Sequence, residues 1–489
     1  MKLKIMLLIL FAYSFNYAQQ YGSWNEIDSL NIFRVGHGMA VLPNGNILVG
    51  GNDHFIGQDS CEIYDINTNR WRYTDSMNIR RSNPKMITLD NGKILVAGSY
   101  EDRSCELFDP ITETWSMTDS IPSFHDWGQT VTTLKDGRIF VAGGVHLDKS
   151  VTPWETNYLN ECDIYNPSTE NWAVAAPMLF QRSSHTATLL SDGRVLVTGG
   201  KNPDSLKLRE CEIYDPITNS WETAASMNDT RYSHDAILLP NGNVFVSGGP
   251  ATEGGGSHWL KSTEVYNVQN NTWSYAGDMV NLRSNNKMYY LSDINKILIL
   301  GGAIGQESIE DTWEIFDTAT LLSIYSEPFP VAQSLAPILS FQSNSIQLKN
   351  GNIIVAGGSK YGISQSGMLW VLPTKRCWLF DVITDVKTND LIIENYKLLQ
   401  NYPNPFNPST NISFQIPHSS EVKLIVYNVL GEKIKTLFSK SVGKGNYTVS
   451  WNGKNNFGQS QPSGIYIIKL FATSTTGNYT SSIKSIMLK

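Results

Sequence analysis

Only five cysteines stand in 489 residues, and charged residues make up 17% of the chain. After the N-terminus no apolar run approaches the ~20 residues that a membrane-spanning helix requires. That scarcity leaves "MKLKIMLLILFAYSFNYAQQ" as the one hydrophobic segment to explain. Lys2 and Lys4 precede a short apolar run from Met6 to Tyr13, and small residues follow around Ala18, the layout of a cleaved secretory signal. The expectation is export with residues 1–18 removed, and no transmembrane segment afterwards.

Acidic residues are nearly missing from the tail. Residues 398–489 hold nine Lys against Glu421 and Glu432, a charge of +7. Taking that and the +2 of residues 1–18 from the whole-chain −7 leaves −16 on residues 19–397. An acidic body excludes nucleic acid as its partner, because phosphate neutralisation needs clustered Lys and Arg. Also missing are a glycine-rich phosphate loop, an HExxH pair, a GxSxG elbow and an Asp box. No catalytic residue, metal or cofactor is therefore assigned.

What the chain has in abundance is repetition. "PNGNILVGGN", "DNGKILVAGS", "KDGRIFVAGG", "SDGRVLVTGG", "PNGNVFVSGG", "DINKILILGG" and "KNGNIIVAGG" put a glycine at Gly51, Gly98, Gly143, Gly199, Gly248, Gly301 and Gly357. The period of roughly 45 to 56 residues is that of a four-stranded propeller blade. Asn-Gly or Asp-Gly marks a tight hairpin, and Val195-Leu196-Val197 reads as a strand buried on both faces. A third strand carries an aromatic, a Pro- or Asn-containing turn follows, and the fourth strand opens on tryptophan. The pairs Tyr64/Trp71, Phe108/Trp115, Tyr165/Trp172, Tyr214/Trp221 and Tyr266/Trp273 predict packing between blades. Blade six departs, with Phe316 followed by Ser323, and blade seven lacks its last strand. Trp24, in the segment before the first repeat, predicts that the N-terminal strand closes the ring and removes free sheet edges.

The glycine doublet with its spaced tyrosine and tryptophan resembles the kelch motif, and "DGRVLVTGG" looks most like the kelch of the galactose-oxidase lineage. That resemblance implies an all-β kelch propeller of seven four-stranded blades over residues 19–382. Asn52 and Ser99 replace the second glycine in the first two copies.

Cys61, Cys105, Cys162, Cys211 and Cys377 share one repeat position, where Thr263 and Trp313 fill the other slots. With strands ~4.8 Å apart, equivalent positions on adjacent blades are about 13 Å apart, beyond the ~7 Å disulfide limit. Free buried thiols are expected, and zinc is excluded by the same spacing. His37, His185 and His234 share another position, each three residues after an arginine, and are expected to make hydrogen bonds between blades. His54, His125, His146 and His258 lie outside that register. The galactose-oxidase resemblance implies, as the alternative function, a copper-radical oxidase or other carbohydrate-acting enzyme. In that lineage copper needs two tyrosines, two histidines and a cysteine cross-linked to a tyrosine, and no residue set here matches its ligand motif.

The segments between strands two and three vary in length, and the long ones are 145–161, 250–262 and 359–376. Variable loops on a rigid scaffold suit binding. Trp154, Tyr158, His258, Trp259 and Tyr361 are the ligand-binding candidates, since exposed aromatics stack on sugars or anchor protein contacts.

Residues 383–397 read as a linker. Beyond it, "NYPNPFNPST" forces extended or turn geometry, and "EVKLIVYNVLGEKIKTL" and "SGIYIIKLFA" alternate as the strands of a small β-sandwich. With "WNGKNNFGQSQPSGIYIIKL" and the terminal "SIMLK", residues 398–489 resemble the type A sorting domain of type IX secretion, an Ig-like fold. That resemblance implies the type IX machinery as partner, Tyr402, Pro403, Asn404, Pro405 and Phe406 as part of the motif, and a secreted or surface-attached product. The whole is read as a monomeric, non-catalytic binding module for extracellular glycan or protein.

Overall fold

The computed structural model describes residues 21–488, apart from 53–57, 100–101, 205–206, 254–255, 305–307, 310–311, 329–343, 364–368, 383–395, 399–400, 402–405, 407–409, 444 and 475–476. The signal segment, most of the linker, His54, Tyr402, Pro403, Asn404 and Pro405 thus lie outside the described residues. Two compact units divide the chain, Met1–Thr384 and Asp385–Lys489.

The first unit contains seven four-stranded antiparallel sheets. Blade one runs Gly38–Val41, Ile47–Gly50, Cys61–Asp65, Arg70–Thr74. Blades two to six repeat that order, starting at Lys85, Thr130, Thr186, Asp235 and Lys287. Blade seven takes three strands from Asn344–Gln347, Ile353–Ala356 and Cys377–Val382, and its fourth is Gly22–Ile27. Trp24 pairs with Phe380 in the register that Trp221 holds with Tyr214. The ring is closed by its own N-terminal strand.

Local chemistry explains each blade. Between strands one and two the Asn or Asp side chain accepts the backbone N–H two residues on, as at Asn91 for Lys93 (3.0 Å) and Asp192 for Arg194 (3.0 Å). Strand two is buried on both faces, with Ile47, Leu48 and Val49 fully inaccessible. The predicted aromatic pairs all form, with ring centroids 5.0–5.2 Å apart.

The expected packing of these residues between blades is present, and Trp71 adds two details to it. The fourth strand of blade one opens on Arg70, with Trp71 second, and Trp71 is the cross-strand neighbour of Tyr64, so the ring pair lies within one blade and not between two. An antiparallel register puts directly opposed side chains on the same face of one sheet, which is why the pair forms there. Both members of a pair also pack on the preceding blade: the Tyr214 ring stacks on Phe140 of blade three at 4.4 Å, and the Tyr165 hydroxyl lies 3.1 Å from Thr118 Oγ1 of blade two. Trp71 is buried in a cluster with Ile354, Ala356 and Cys377 of blade seven, and its Nε1 donates to the carbonyl of Asp28 (2.9 Å), just past the strand that completes that blade. Its backbone N–H also donates to Asp28 Oδ2 (3.1 Å). Trp221 Nε1 likewise donates to the carbonyl of Ala176 (2.8 Å), and Trp273 Nε1 to that of Ala225 (2.9 Å), each in the preceding blade.

The glycine doublet is where blade meets blade. Gly199 and Gly200 have φ of 60° and 109°, and a Cβ on Gly199 would lie 2.4 Å from the carbonyl oxygen of Arg231. That oxygen instead accepts the N–H of Gly200 at 2.8 Å. Any side chain here would be strained and would push the blades apart.

A buried ion pair ties each of five blades together. Arg34–Glu62, Arg81–Glu106, Arg182–Glu212, Arg231–Glu264 and Arg283–Glu314 are 2.7–3.1 Å apart and fully inaccessible. The arginine precedes strand one, the glutamate lies on strand three, and Nη1 also donates to the first glycine of the doublet, as at Gly248 (2.8 Å). Blade three substitutes His125 and Asp163 (3.1 Å), with His125 Nδ1 2.6 Å from the Gly143 oxygen.

All five cysteines are buried free thiols, each donating to the carbonyl two residues earlier at 3.4–3.6 Å. Burial pushes the thiols of Cys61, Cys211 and Cys377 up to about 12, which leaves them unreactive.

The second unit has a three-stranded sheet (Lys397–Leu398, Thr410–Ile416, Gly445–Trp451) and a four-stranded one (Lys433–Val442, Ser420–Asn428, Gly464–Ser474, Gly477–Met487). Alternate residues Val422, Leu424 and Val426 face its core with Trp451 and Phe414. Phe406 is buried there, bonded through its backbone to Ile486 and Leu488 of the last segment.

Candidate functional site

Connections two-to-three and four-to-one emerge at the same end of every blade, so one face of the ring carries all the length variation. The long connections are not loops. Blade three extends its own strands, Ile139–Asp148 and Glu155–Asn166, past a bulge at Gly144. Blades five, six and seven add separate two-stranded hairpins: Pro250–Glu253 with Gly256–Trp259, Ala303–Ile304 with Ser308–Ile309, and Ser359–Ile363 with Leu369–Pro373. Hydrogen-bonded hairpins stand where loops are expected from the sequence.

Trp154, at the tip of the blade-three extension, is 62% exposed, and the ammonium of Lys149 stands 4.8 Å from its ring centroid. Tyr158 pairs with Val145 lower on the same hairpin and is partly buried. His258 and Trp259 pair with Ala251 and Pro250 and are also partly buried. Tyr361 pairs through its backbone with Val371. Trp154 and Tyr158 thus share one hairpin, and His258 and Trp259 another. Among the described residues no hydrogen bond or ring contact joins the two pairs. The repeat aromatics Tyr64, Trp71 and Tyr214 are buried and Trp221 half-buried, so these four hold the blades and offer no ligand surface.

One cluster on this face had no place in the sequence-based candidate set. Asp126 is buried, and its Oδ2 accepts the N–H of Leu147 (2.8 Å) and lies 3.1 Å from His146 Nδ1. The His146 ring stacks on Phe124 at 4.3 Å, and Arg103 covers Phe124 at 4.9 Å. Its signal in the sequence was the departure itself: "SFHDWGQ" stands where neighbouring repeats carry arginine.

At the ring's centre the innermost strands of neighbouring blades adjoin around the axis. His185 Nε2 contacts Thr130 Oγ1 (3.1 Å), and His234 Nε2 contacts Thr198 Oγ1 (2.9 Å), each bridging to the preceding blade. Among the described residues neither ring nitrogen of His37 has a partner. Burial, then the neighbouring Arg34, lowers His37 to about 3. Burial, then Arg231, brings His234 to about 3. His185 is likewise held well below its usual range, by burial first and Arg182 next. His185 and His234 are thus neutral cement between blades, whereas the hydrogen bond expected of His37 is not made among the described residues.

Comparison with known proteins agrees with the architecture. Residues 179–371 match the family model described as the beta-propeller of tRNA wybutosine-synthesizing protein 4, and residues 402–476 match the FlgD Ig-like domain. The chain is a β-propeller followed by an FlgD-type Ig-like domain. No curated protein matches. A solved structure titled a novel fungal alcohol oxidase with catalytic diversity among the AA5 family, in complex with copper, aligns at 16% identity with a TM-score of 0.58, covering 96% of this chain and 100% of that one. At that identity the two proteins share a fold.

Copper in that oxidase poses a test for the residues here. Among the described residues no three of His, Cys, Asp or Glu converge to hold a metal. Every cysteine is buried against a backbone carbonyl, and His185 and His234 are engaged between blades. The buried cysteines do not fit the cross-linked cysteine that the galactose-oxidase resemblance implies for copper.

Proposed function

We propose that this protein is a secreted or surface-attached, monomeric binding module, whose propeller takes an extracellular glycan or protein on the hairpin face. The observation that carries the reading is the asymmetry of the ring: hydrogen-bonded hairpins of unequal length on one face, with Trp154 62% exposed at a tip and a cation above its ring. An indole presented in this way stacks on a sugar face or anchors a partner side chain.

The test is a glycan array, and capture of extracellular proteins, with the full chain and Trp154→Ala. Losing one aromatic anchor is expected to weaken binding about tenfold, or ~1.4 kcal/mol. Undiminished binding by Trp154→Ala, measured by calorimetry on the captured ligand, would remove this face from the function.

Export is the second part of the proposal, with residues 398–489 acting as a type A sorting domain of type IX secretion. The support is the "YPNPFNPST" entrance, the FlgD-type Ig-like match and Phe406 anchored to the final strand. A reporter protein carrying a signal peptide and residues 398–489 should reach the outer surface or medium of a bacterium that has the machinery. Retention in the periplasm, equal to that of the same reporter without residues 398–489, would sink the assignment.

A further inference from the structure

The first residue of every innermost strand pairs with the residue just before the first glycine of the doublet. Lys85 pairs with Ala97, Asp235 with Ser247 and Lys287 with Leu300, and Gly38, Thr130, Thr186 and Asn344 hold the same register. These seven positions form one level of the axial channel, at its mouth on the hairpin face. Three of them carry charge.

Lys85 and Lys287 belong to blades two and six, on different sides of the ring. Both side chains are exposed to solvent, and neither makes a hydrogen bond or ion pair among the described residues. Asp235 is close enough to feel Lys287, but its carboxylate is committed to backbone, accepting from Met288 N (2.7 Å) and Ala236 N (3.1 Å). In a body carrying −16, two ammonium groups at one level of the channel mouth without a carboxylate bonded to either are conspicuous.

We propose that this channel mouth is an oxyanion site, in which Lys85 and Lys287 take a carboxylate or sulfate group of the ligand. The class of ligand is then an acidic saccharide, a part of the proposal that rests on the hairpin-face reading, whereas the anion site itself does not. Lys85 is reachable by solvent yet surrounded by protein, as a side chain in a water-filled channel is. Its ammonium is lowered to about 8, by enclosure first and by the like charge of Lys287 second. An anion between the two lysines removes that repulsion, and in a partly desolvated channel its attraction is screened less than at an open surface.

The experiment follows thermal unfolding of the full chain at constant ionic strength, titrating sodium sulfate, sodium glucuronate and, as the uncharged match, glucose. The saturable rise in Tm expected of a ligand that binds only the folded state should appear with glucuronate and sulfate but not glucose. Lys85→Met and Lys287→Met should each weaken it at least tenfold, while Lys85→Arg retains it. Sulfate also stabilises proteins by exclusion from their surface, and that non-saturating component should be common to all variants. An identical glucuronate response in Lys85→Met, or none in the parent chain, overturns the proposal.

If Lys85→Met does not fold, acylation of the unaltered chain at pH 8 provides the answer. Lys85 should be protected by glucuronate and not by glucose, and equal labelling in both overturns the site. Trp154→Ala should keep the full anion response. Loss of glycan binding with that response intact would show the hairpin face acting and the anion site standing beside it. An anion response in a chain that binds no glycan or protein would leave this site and remove the other reading.

Discussion

At pH 5 the propeller should be several kcal/mol less stable than at pH 7.5, and replacing His37 by Met should abolish about a third of the imidazole contribution. His37, His185 and His234 are buried and neutral, lowered by burial and by Arg34, Arg182 and Arg231, whereas in the unfolded chain they titrate near 6.5. For a group whose folded pKa is depressed, the unfolded state binds the proton first, so stability is complete above 6.5 and lost as pH falls below it. Each histidine should cost about 2 kcal/mol by pH 5, or roughly 6 together. Asp235 and Glu212, both raised by burial, act in the opposite sense, which is why the variant matters. Urea unfolding of parent and His37→Met at both pH values isolates one imidazole. A pH-dependent loss equal in the two proteins would show that His37 is not buried neutral.

Arg81→Met should cost about 3–5 kcal/mol, because it leaves Glu106 buried without its countercharge. Arg81 donates to Glu106 Oε1 from Nε (3.2 Å) and Nη2 (2.9 Å), and from Nη1 to the carbonyl of Ser104 (2.7 Å). Glu106 would keep only its backbone and amide donors, Asn78 N, Asn78 Nδ2 and Ile79 N. Removing both charges with Arg81→Met/Glu106→Gln should recover a large part of the loss, since the penalty comes from the stranded ion. Equilibrium unfolding of the two singles and the double supplies the cycle. Strict additivity would mean that the pair contributes nothing as a pair.

Five copies of this pair explain how a ring of small sheets holds together between its apolar layers. They also explain what was legible in advance. The tight Asn-Gly and Asp-Gly turns and the tyrosine–tryptophan spacing each express interactions within about a dozen residues, and the seven glycines repeat once per blade. The repeat therefore disclosed blades, strand order and even the closing role of Trp24. It did not disclose that Trp71 stacks on Tyr64 inside its own blade while its indole N–H crosses to Asp28, because that bond spans a blade boundary. The arginines and histidines were visible as a periodic pair, but the glutamates beside the cysteines were not recognised as their partners. Those contacts join segments some 25–35 residues apart, and no local pattern signals them.

The candidate site was less legible. Trp154, Tyr158, His258, Trp259 and Tyr361 were read from loop length, and folding distributes them over separate hairpins. His125 and His146 looked like strays from the register, yet one replaces the buried arginine of blade three and the other lies against the buried Asp126.

The sequence by itself determined an all-β chain of seven blades with an Ig-like tail, because period, turn chemistry and apolar alternation act over short distances and repeat. Only the tertiary structure decided which charges are buried in pairs, which histidines become neutral cement, and that Lys85 and Lys287 share one level of the channel. The physical reason is ring closure: it gathers residues from blades two and six, about 200 positions apart in the chain, at one depth around a common axis.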